Sequence, residues 1–392
     1  MEKLQGHRDL RLIKVITGVR RCGKTTVLEA FRATLINSGI GEDQIISVCF
    51  EDAGSDELTE GKALFDYIKS RLHPEKKSYI FLDEVRRVTR WQLVVDSLCA
   101  KMNCDVYITS SNGYLMTGEL AKLLKGRFVE INMHPLSFAE YMSAFPDSSD
   151  QAGKFNEYLI NSSFPHTLHL SSQKDIRTYL DGIYSSVMLN DIVKRKKIAD
   201  VSALESVVRF VYENVGSICS SKSIADALHS SGRKISVHTV DSYLTTLGES
   251  LMTHKINRFD VKGQQHLKTG EKHYLADVGL RHYLLGEKKA DIRRSLENVV
   301  FLELLRRGYK MSIGKVGNLE VEFIATNESG IEYYKVAATV SDAKALTREL
   351  KPLYSISDHY PKFLLTLDEG PEKQHNGVRQ INALDWLLGK GR

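Results

Sequence analysis

Gly18-Val19-Arg20-Arg21-Cys22-Gly23-Lys24-Thr25 matches the pattern G-x-x-x-x-G-K-[ST] at every fixed position, and it limits the fold more than any other stretch. Such a loop needs a strand leading in and a helix leading out. Residues 12–17 form a short apolar run with β-branched residues, and the segment from Thr25 carries Val27, Leu28, Phe31 and Leu35 at helical spacing. The two glycines let successive N–H groups turn inward at the positive end of a helix dipole, which suits phosphate oxygens. On this reading Gly18, Arg21, Cys22, Gly23, Lys24, Thr25 and Thr26 form the ATP-binding set. Lys24 opposes the β- and γ-phosphates, Thr25 ligates Mg²⁺ and Thr26 offers a hydroxyl near the α-phosphate.

A second motif supports the first. Ser78-Tyr79-Ile80-Phe81-Leu82-Asp83-Glu84 is an apolar strand ending in two acids, the form of a Walker B strand. Asp83 is expected in the Mg²⁺ shell opposite Thr25, and Glu84 is expected to polarise the attacking water. A further strand, residues 105–109, runs into Ser110-Ser111-Asn112. There Asn112 either aligns water as a catalytic sensor or belongs to an ordinary turn. Arg127, just before the strand at 128–132, has two readings as well: a contact to the γ-phosphate in the same or a neighbouring subunit, or a surface arginine at a helix end. Strands alternating with helices to about residue 133 predict an α/β core, a parallel sheet with helices on both faces and nucleotide at the carboxyl ends of the strands.

At 392 residues, two or three domains are expected. No apolar run is long enough to cross a bilayer and the start is charged, so a cytoplasmic protein without membrane contact is expected. Five cysteines without C-x-x-C spacing point to reduced thiols; Cys22 is either loop filler or a redox-sensitive position. Residues 191–289 hold 16 basic and 11 acidic side chains, an excess equal to the +5 of the whole chain. A polyanion-binding face needs such a local field, although solvated surfaces carry it too.

The order of phosphate loop, Phe-Leu-Asp-Glu, Ile-Thr-Ser-Ser-Asn, Gly-Arg and Pro-Leu-Ser-Phe-Ala-Glu-Tyr resembles prokaryotic AAA-type ATPases that join an archaeal-ATPase-like core to a C-terminal domain of unassigned function. The likeness continues through Leu189-Asn190-Asp191-Ile192 and residues 296–304, so it spans nearly the whole chain. It implies a P-loop core over residues 1–145, a helical connector over 146–200, a winged-helix domain over 201–290 and a restriction-endonuclease-like α/β domain over 291–392. This chain departs from the usual pattern at Val85-Arg86, where the family has Ile-Gln, at Ser110 and at Ser162-Ser163, where glycines are usual.

The middle segment supports the winged-helix reading from its own pattern. Helices are expected at 204–214 and 223–230, with a third after Ser236 burying Val237, Val240, Tyr243, Leu244 and Leu247. Its other face offers His238, Thr239, Asp241, Ser242 and Thr245 to base edges, and a hairpin with Lys255, Arg258, Lys262 and Lys268 offers phosphate contacts. Duplex DNA or a protein is the expected partner, and self-association is open. In the last domain Glu297, Glu322 and Lys335 are candidates for a nuclease cluster, but Tyr333 stands where such sites carry an acid, so a decayed site with a structural or DNA-holding use is expected ahead of cleavage. The expected function is Mg²⁺-dependent ATP hydrolysis coupled to DNA binding. A nucleotide-gated protein-binding switch and an ATP-regulated nuclease are the alternatives.

Overall fold

A computed structural model describes residues 1–111, 124, 126–194, 197–267, 270–286 and 291–390. The chain divides into two compact units, Met1–Met133 with Glu249–Leu251, and His134–Gly248 with Met252–Arg392.

The first unit runs α1 (Glu2–Gly6), β1 (Ile13–Gly18), α2 (Lys24–Asn37), β2 (Ile45–Cys49), α3 (Gly61–Lys69), β3 (Ser78–Asp83), α4 (Trp91–Lys101), β4 (Cys104–Ser110) and β5 (Phe128–Met133). Its five strands are parallel in the order β2-β3-β4-β1-β5. Every residue of β1 and β3 is buried, as continuous apolar strands must be when helices cover both faces. One face packs Val15, Ile80 and Leu82 with Leu64 of α3 and Leu98 of α4. The other packs Ile16, Phe81 and Tyr107 with Leu28 and Phe31 of α2, and the rings of Phe81 and Tyr107 stack at 5.0 Å. Lys14 is the exception in this apolar sheet. It is fully buried, ion-paired to Asp105 of β4, and its Nζ also donates to the Leu10 carbonyl at 2.9 Å. A buried charge persists only when matched in this way.

The second unit begins with α5 (Phe138–Ser143), α6 (Gln151–Asn161), α7 (Gln173–Ser186), α8 (Val201–Glu213), α9 (Ser221–Ser230) and α10 (Val237–Glu249). Leu204 and Val207 of α8, Ile224 and Leu228 of α9, and Val240, Leu244 and Leu247 of α10 are buried. Ser236 caps α10, its Oγ accepting the Thr239 N–H at 3.0 Å. Val237, expected on the buried face, is instead 45% exposed, because it lies in the first turn ahead of the packed residues.

Strands β6 (Thr253–Ile256), β7 (Arg258–Asp260), β8 (Gln265–His266) and β9 (Lys272–Leu275) follow, then α11 (Val278–Leu285) and α12 (Ile292–Arg306). The chain closes with β10 (Lys310–Val316), β11 (Leu319–Asn327), β12 (Gly330–Val336), α13 (Ala343–Tyr354), β13 (Lys362–Thr366), β14 (Lys373–His375), β15 (Val378–Asn382) and α14 (Ala383–Leu387). The β6 and β9 strands pair with each other, whereas β7 pairs parallel with β10 and antiparallel with β8. The hairpin expected to stand beside α10 therefore forms the edge of an eight-stranded sheet, β14-β15-β13-β12-β11-β10-β7-β8. There it covers backbone groups that β10 would otherwise leave open. On this sheet Leu350 and Leu353 of α13 join Val321, Ile324 and Tyr333, while Phe301 of α12 stacks on Tyr274 at 4.4 Å. Among the described residues no helix is long and apolar enough to cross a membrane.

Candidate functional site

The loop between β1 and α2 is shaped by its backbone. Gly18 has no room for a side chain, since a Cβ there would lie 2.5 Å from the Met133 carbonyl oxygen and 2.7 Å from Cys22 Sγ. Arg21 and Gly23 take left-handed backbone angles, with φ of 68° and 101°. Alternating handedness of this kind is how a loop turns its amides inward. Lys24, 5% exposed, donates from Nζ to the carbonyls of Gly18 at 3.1 Å and Val19 at 3.3 Å. Thr26 is exposed at the outer edge of the first turn. Cys22 is buried with Sγ 3.8 Å from the Met133 carbonyl, and burial pushes its thiol pKa up. That favours the filler reading over redox control.

At the end of β3 the two acids separate in role. Asp83 Oδ2 accepts the Thr25 hydroxyl at 2.7 Å, and Oδ1 accepts the Thr109 hydroxyl. Glu84 takes a left-handed conformation, φ 52°, which turns its side chain away from the strand alternation. Its carboxylate accepts from the Ser111 hydroxyl and, at 3.3 Å, from the Ser111 N–H, and lies 3.7 Å from Lys24 Nζ. Thr109 ties the pair together, since its Oγ1 also accepts the Glu84 N–H at 2.8 Å. Lys24, Thr25, Asp83 and Glu84 thus form one cluster at the carboxyl ends of β1 and β3. Thr109 and Ser111 complete it without having been assigned a role from the sequence. Their signal is slight: hydroxyls where an apolar strand ends.

Two expected members are not part of this geometry. Asn112 lies outside the described residues. Arg127 precedes β5, at the amino end of a strand parallel to β1, and its Nη2 donates to Asp96 Oδ1 at 2.5 Å. The loop leaves the opposite end of the sheet, so Arg127 does not reach it within the same chain.

The second unit holds a different acid cluster. Lys335 Nζ donates to Glu322 Oε1 at 2.7 Å and lies 3.5 Å from Glu349 of α13. Glu297 is engaged elsewhere, accepting from Lys272 Nζ at 3.0 Å and from the Tyr274 hydroxyl at 2.6 Å. Burial raises the Glu297 pKa, and Lys272 between Glu297 and Glu320 is raised by those carboxylates despite its own burial. Among the described residues no group of three or more His, Cys, Asp or Glu is arranged to hold a metal ion. Of the four expected hairpin cations, Lys255 is ion-paired with Glu271 at 2.9 Å, Arg258 lies against Gly270, Lys262 is exposed and Lys268 lies outside the described residues.

A family described as an AAA domain matches residues 10–142, and a domain of unknown function, DUF8612, matches residues 152–291. An uncharacterized protein of Haemophilus influenzae is 35% identical over 99% of this chain and 97% of its own length. Another, of Methanocaldococcus jannaschii, is 28% identical over 92% of this chain and 83% of its own. A Walker-type ATPase of Pyrococcus abyssi is similar in structure over 72% of this chain and 93% of its own, with 14% identity and a TM-score of 0.49. The chain belongs to the family of the Haemophilus influenzae protein, and its residues 10–142 match the AAA domain.

Proposed function

We propose that the chain hydrolyses ATP with Mg²⁺ at the loop between β1 and α2, and that turnover changes how the α8–α10 segment holds duplex DNA. The observation that carries hydrolysis is Glu84, held 3.7 Å from Lys24 Nζ beside the Asp83–Thr25 pair at 2.7 Å. One hydroxyl and one carboxylate suit a phosphate-borne Mg²⁺, whose other ligands are phosphate oxygens and water. Bound between Thr25 and Asp83, the ion would neutralise charge on the β- and γ-phosphates. Lys24 exchanges its two loop carbonyls for phosphate oxygens of the nucleotide. Glu84, aimed by Ser111 and by the left-handed turn, accepts a proton from the attacking water.

DNA binding is supported by α10, where His238, Asp241, Ser242 and Thr245 are exposed, with Lys222 and Lys234 exposed nearby in sequence. Small polar groups on a helix reach base edges and lysines reach phosphates. In this reading α8–α10 with β6 and β9 is a winged helix, and the eight-stranded sheet with α12 and α13 is a restriction-endonuclease-like layer whose acids are neutralised by lysines.

The test is Mg²⁺-dependent phosphate release from ATP, with and without duplex DNA, in wild type and Glu84→Gln. Turnover stimulated by DNA and reduced about 100-fold or more in Glu84→Gln, with ATP still bound, is expected. Equal turnover in the two proteins sinks the assignment of Glu84, and turnover indifferent to DNA sinks the coupling.

A further inference from the structure

Helix α4 turns Trp91, Val94, Val95 and Leu98 into the core, yet Leu93 is 60% exposed. It lies in a groove of about 630 Å³ between α3 and α4, with Phe65 and Val94 beside it and Lys62, Arg90 and Lys101 on the rim. Among the described residues none of these three cations is ion-paired. The acid in the groove, Glu60, is engaged, its Oε2 accepting the Thr89 hydroxyl at 2.8 Å.

The walls are fixed. Thr89 N–H donates to the Thr59 carbonyl at 2.8 Å, and Glu60 and Thr89 form a parallel bridge. A Cβ on Gly61 would lie 2.5 Å from the Thr89 carbonyl oxygen, so the close approach of the two segments depends on that glycine. The groove is therefore a built feature of the unit and not a gap left by loose packing. Its Thr89-Arg90 wall follows Glu84 by only five and six residues along the chain.

We propose that this groove docks an acidic amphipathic helix of a partner protein. An apolar stripe is matched by exposed Leu93 and half-buried Phe65, and acids on both flanks of that stripe are matched by the rim. Arg90 and Lys101 stand at the two ends of α4, eleven residues or about 16 Å apart, which sets the occupant at roughly three helical turns. The cationic rim selects against basic segments, and the exposed leucine selects against acidic segments without a large apolar side chain. This inference concerns binding alone and stands apart from hydrolysis.

Selection of a displayed random dodecapeptide library on the full-length chain, without nucleotide, tests it. The expected outcome is enrichment of peptides carrying two or more acids around leucine, isoleucine or phenylalanine. Synthetic versions should bind at least tenfold more weakly to Leu93→Glu and to the triple variant Lys62→Glu, Arg90→Glu, Lys101→Glu, and more weakly as salt rises. Both changes are at the surface, so thermal midpoints should match wild type, and either variant suffices if the other fails to fold. Enriched peptides that are basic or neutral, equal binding to both variants, or no enrichment overturns the proposal. So does a concentration-dependent dimer in sedimentation that Leu93→Glu abolishes, which would make a second copy the occupant.

Discussion

Asp83 and Glu84 receive their hydrogen bonds from Thr25, Thr109 and Ser111, whereas Glu297, Glu322 and Glu349 meet Lys272 and Lys335. Both sets of acids sit at strand or helix positions of an α/β layer, and both contain a lysine. The difference lies in what holds them. Hydroxyls orient a carboxylate and leave its charge for an incoming cation or proton, while an ammonium at bonding distance cancels that charge permanently. Lys24 is the instructive intermediate: at 3.7 Å from Glu84 it bonds the loop carbonyls and is free to be recruited by phosphate. The first arrangement suits chemistry and the second suits a fixed core.

The contrast can be broken most directly in the second cluster. Lys335→Met removes the buried ammonium shared by Glu322 and Glu349, leaving them only Arg293 at 3.4 Å and Arg348 at 3.1 Å, both more exposed, and should lower unfolding free energy by about 3 kcal/mol, the lower end of the cost of breaking a buried pair. Adding Glu322→Gln to it should recover part of that loss. Urea unfolding measures both, and an unchanged midpoint in the single variant would show that the lysine is not the element that holds these acids.

A third way to manage buried charge is to forgo it. His254 is half-buried between the rings of His134 at 5.8 Å and Phe301 at 5.7 Å, and the loss of solvent around it lowers its pKa to about 4. The unfolded chain takes up a proton near pH 6.5 that the folded chain refuses until about pH 4. Its contribution is thus complete above pH 6.5 and is lost as pH falls to about 4, at most about 3 kcal/mol in all because the ring keeps part of its contact with solvent. His254→Phe should flatten stability over that window; a slope identical to wild type would assign the acid sensitivity to other groups.

The smallest expected effect sharpens the first cluster. Thr109→Val keeps the shape of the side chain but removes the bonds to Asp83 and to the Glu84 N–H. It should cost about 1–3 kcal/mol of stability and lower kcat about tenfold, with the nucleotide Kd little changed. Parallel titrations and turnover measurements separate these. A weakened Kd at constant kcat would place Thr109 with the binding set instead.

How much of this can be read from the chain follows from how local each feature is. The phosphate loop and the acids after β3 are contiguous motifs with a strand on one side, so Lys24, Thr25, Asp83 and Glu84 were visible as residues. Thr109 and Ser111 act from the end of the next strand, 25 and 27 residues beyond Glu84, and nothing in their own spacing names that partner. Lys14 inside an apolar run is a similar case, because its match with Asp105 crosses 91 residues. The position of Arg127 follows from topology alone: a residue before a strand in a parallel sheet lies at the end opposite a loop that follows one. The β7–β8 hairpin was legible as a hairpin, but its sheet was not, since pairing with β10 spans more than fifty residues and depends on an edge that only the folded molecule presents.

That hairpin also constrains how such genes can be divided. Ile313, Gly314 and Lys315 of β10 are in register with Arg258, Phe259 and Asp260, and the Asn298 side chain both accepts from and donates to the Leu275 backbone. A cut near residue 290 would strip a strand from one fragment and strand a sticky ribbon on the other, inviting misassembly of each. The segment from α8 to α14 is consequently a poor candidate for modular shuffling, and recombination that preserves function should fall outside it. A relative alignable along 99% of the chain is the pattern expected of parts that travel together.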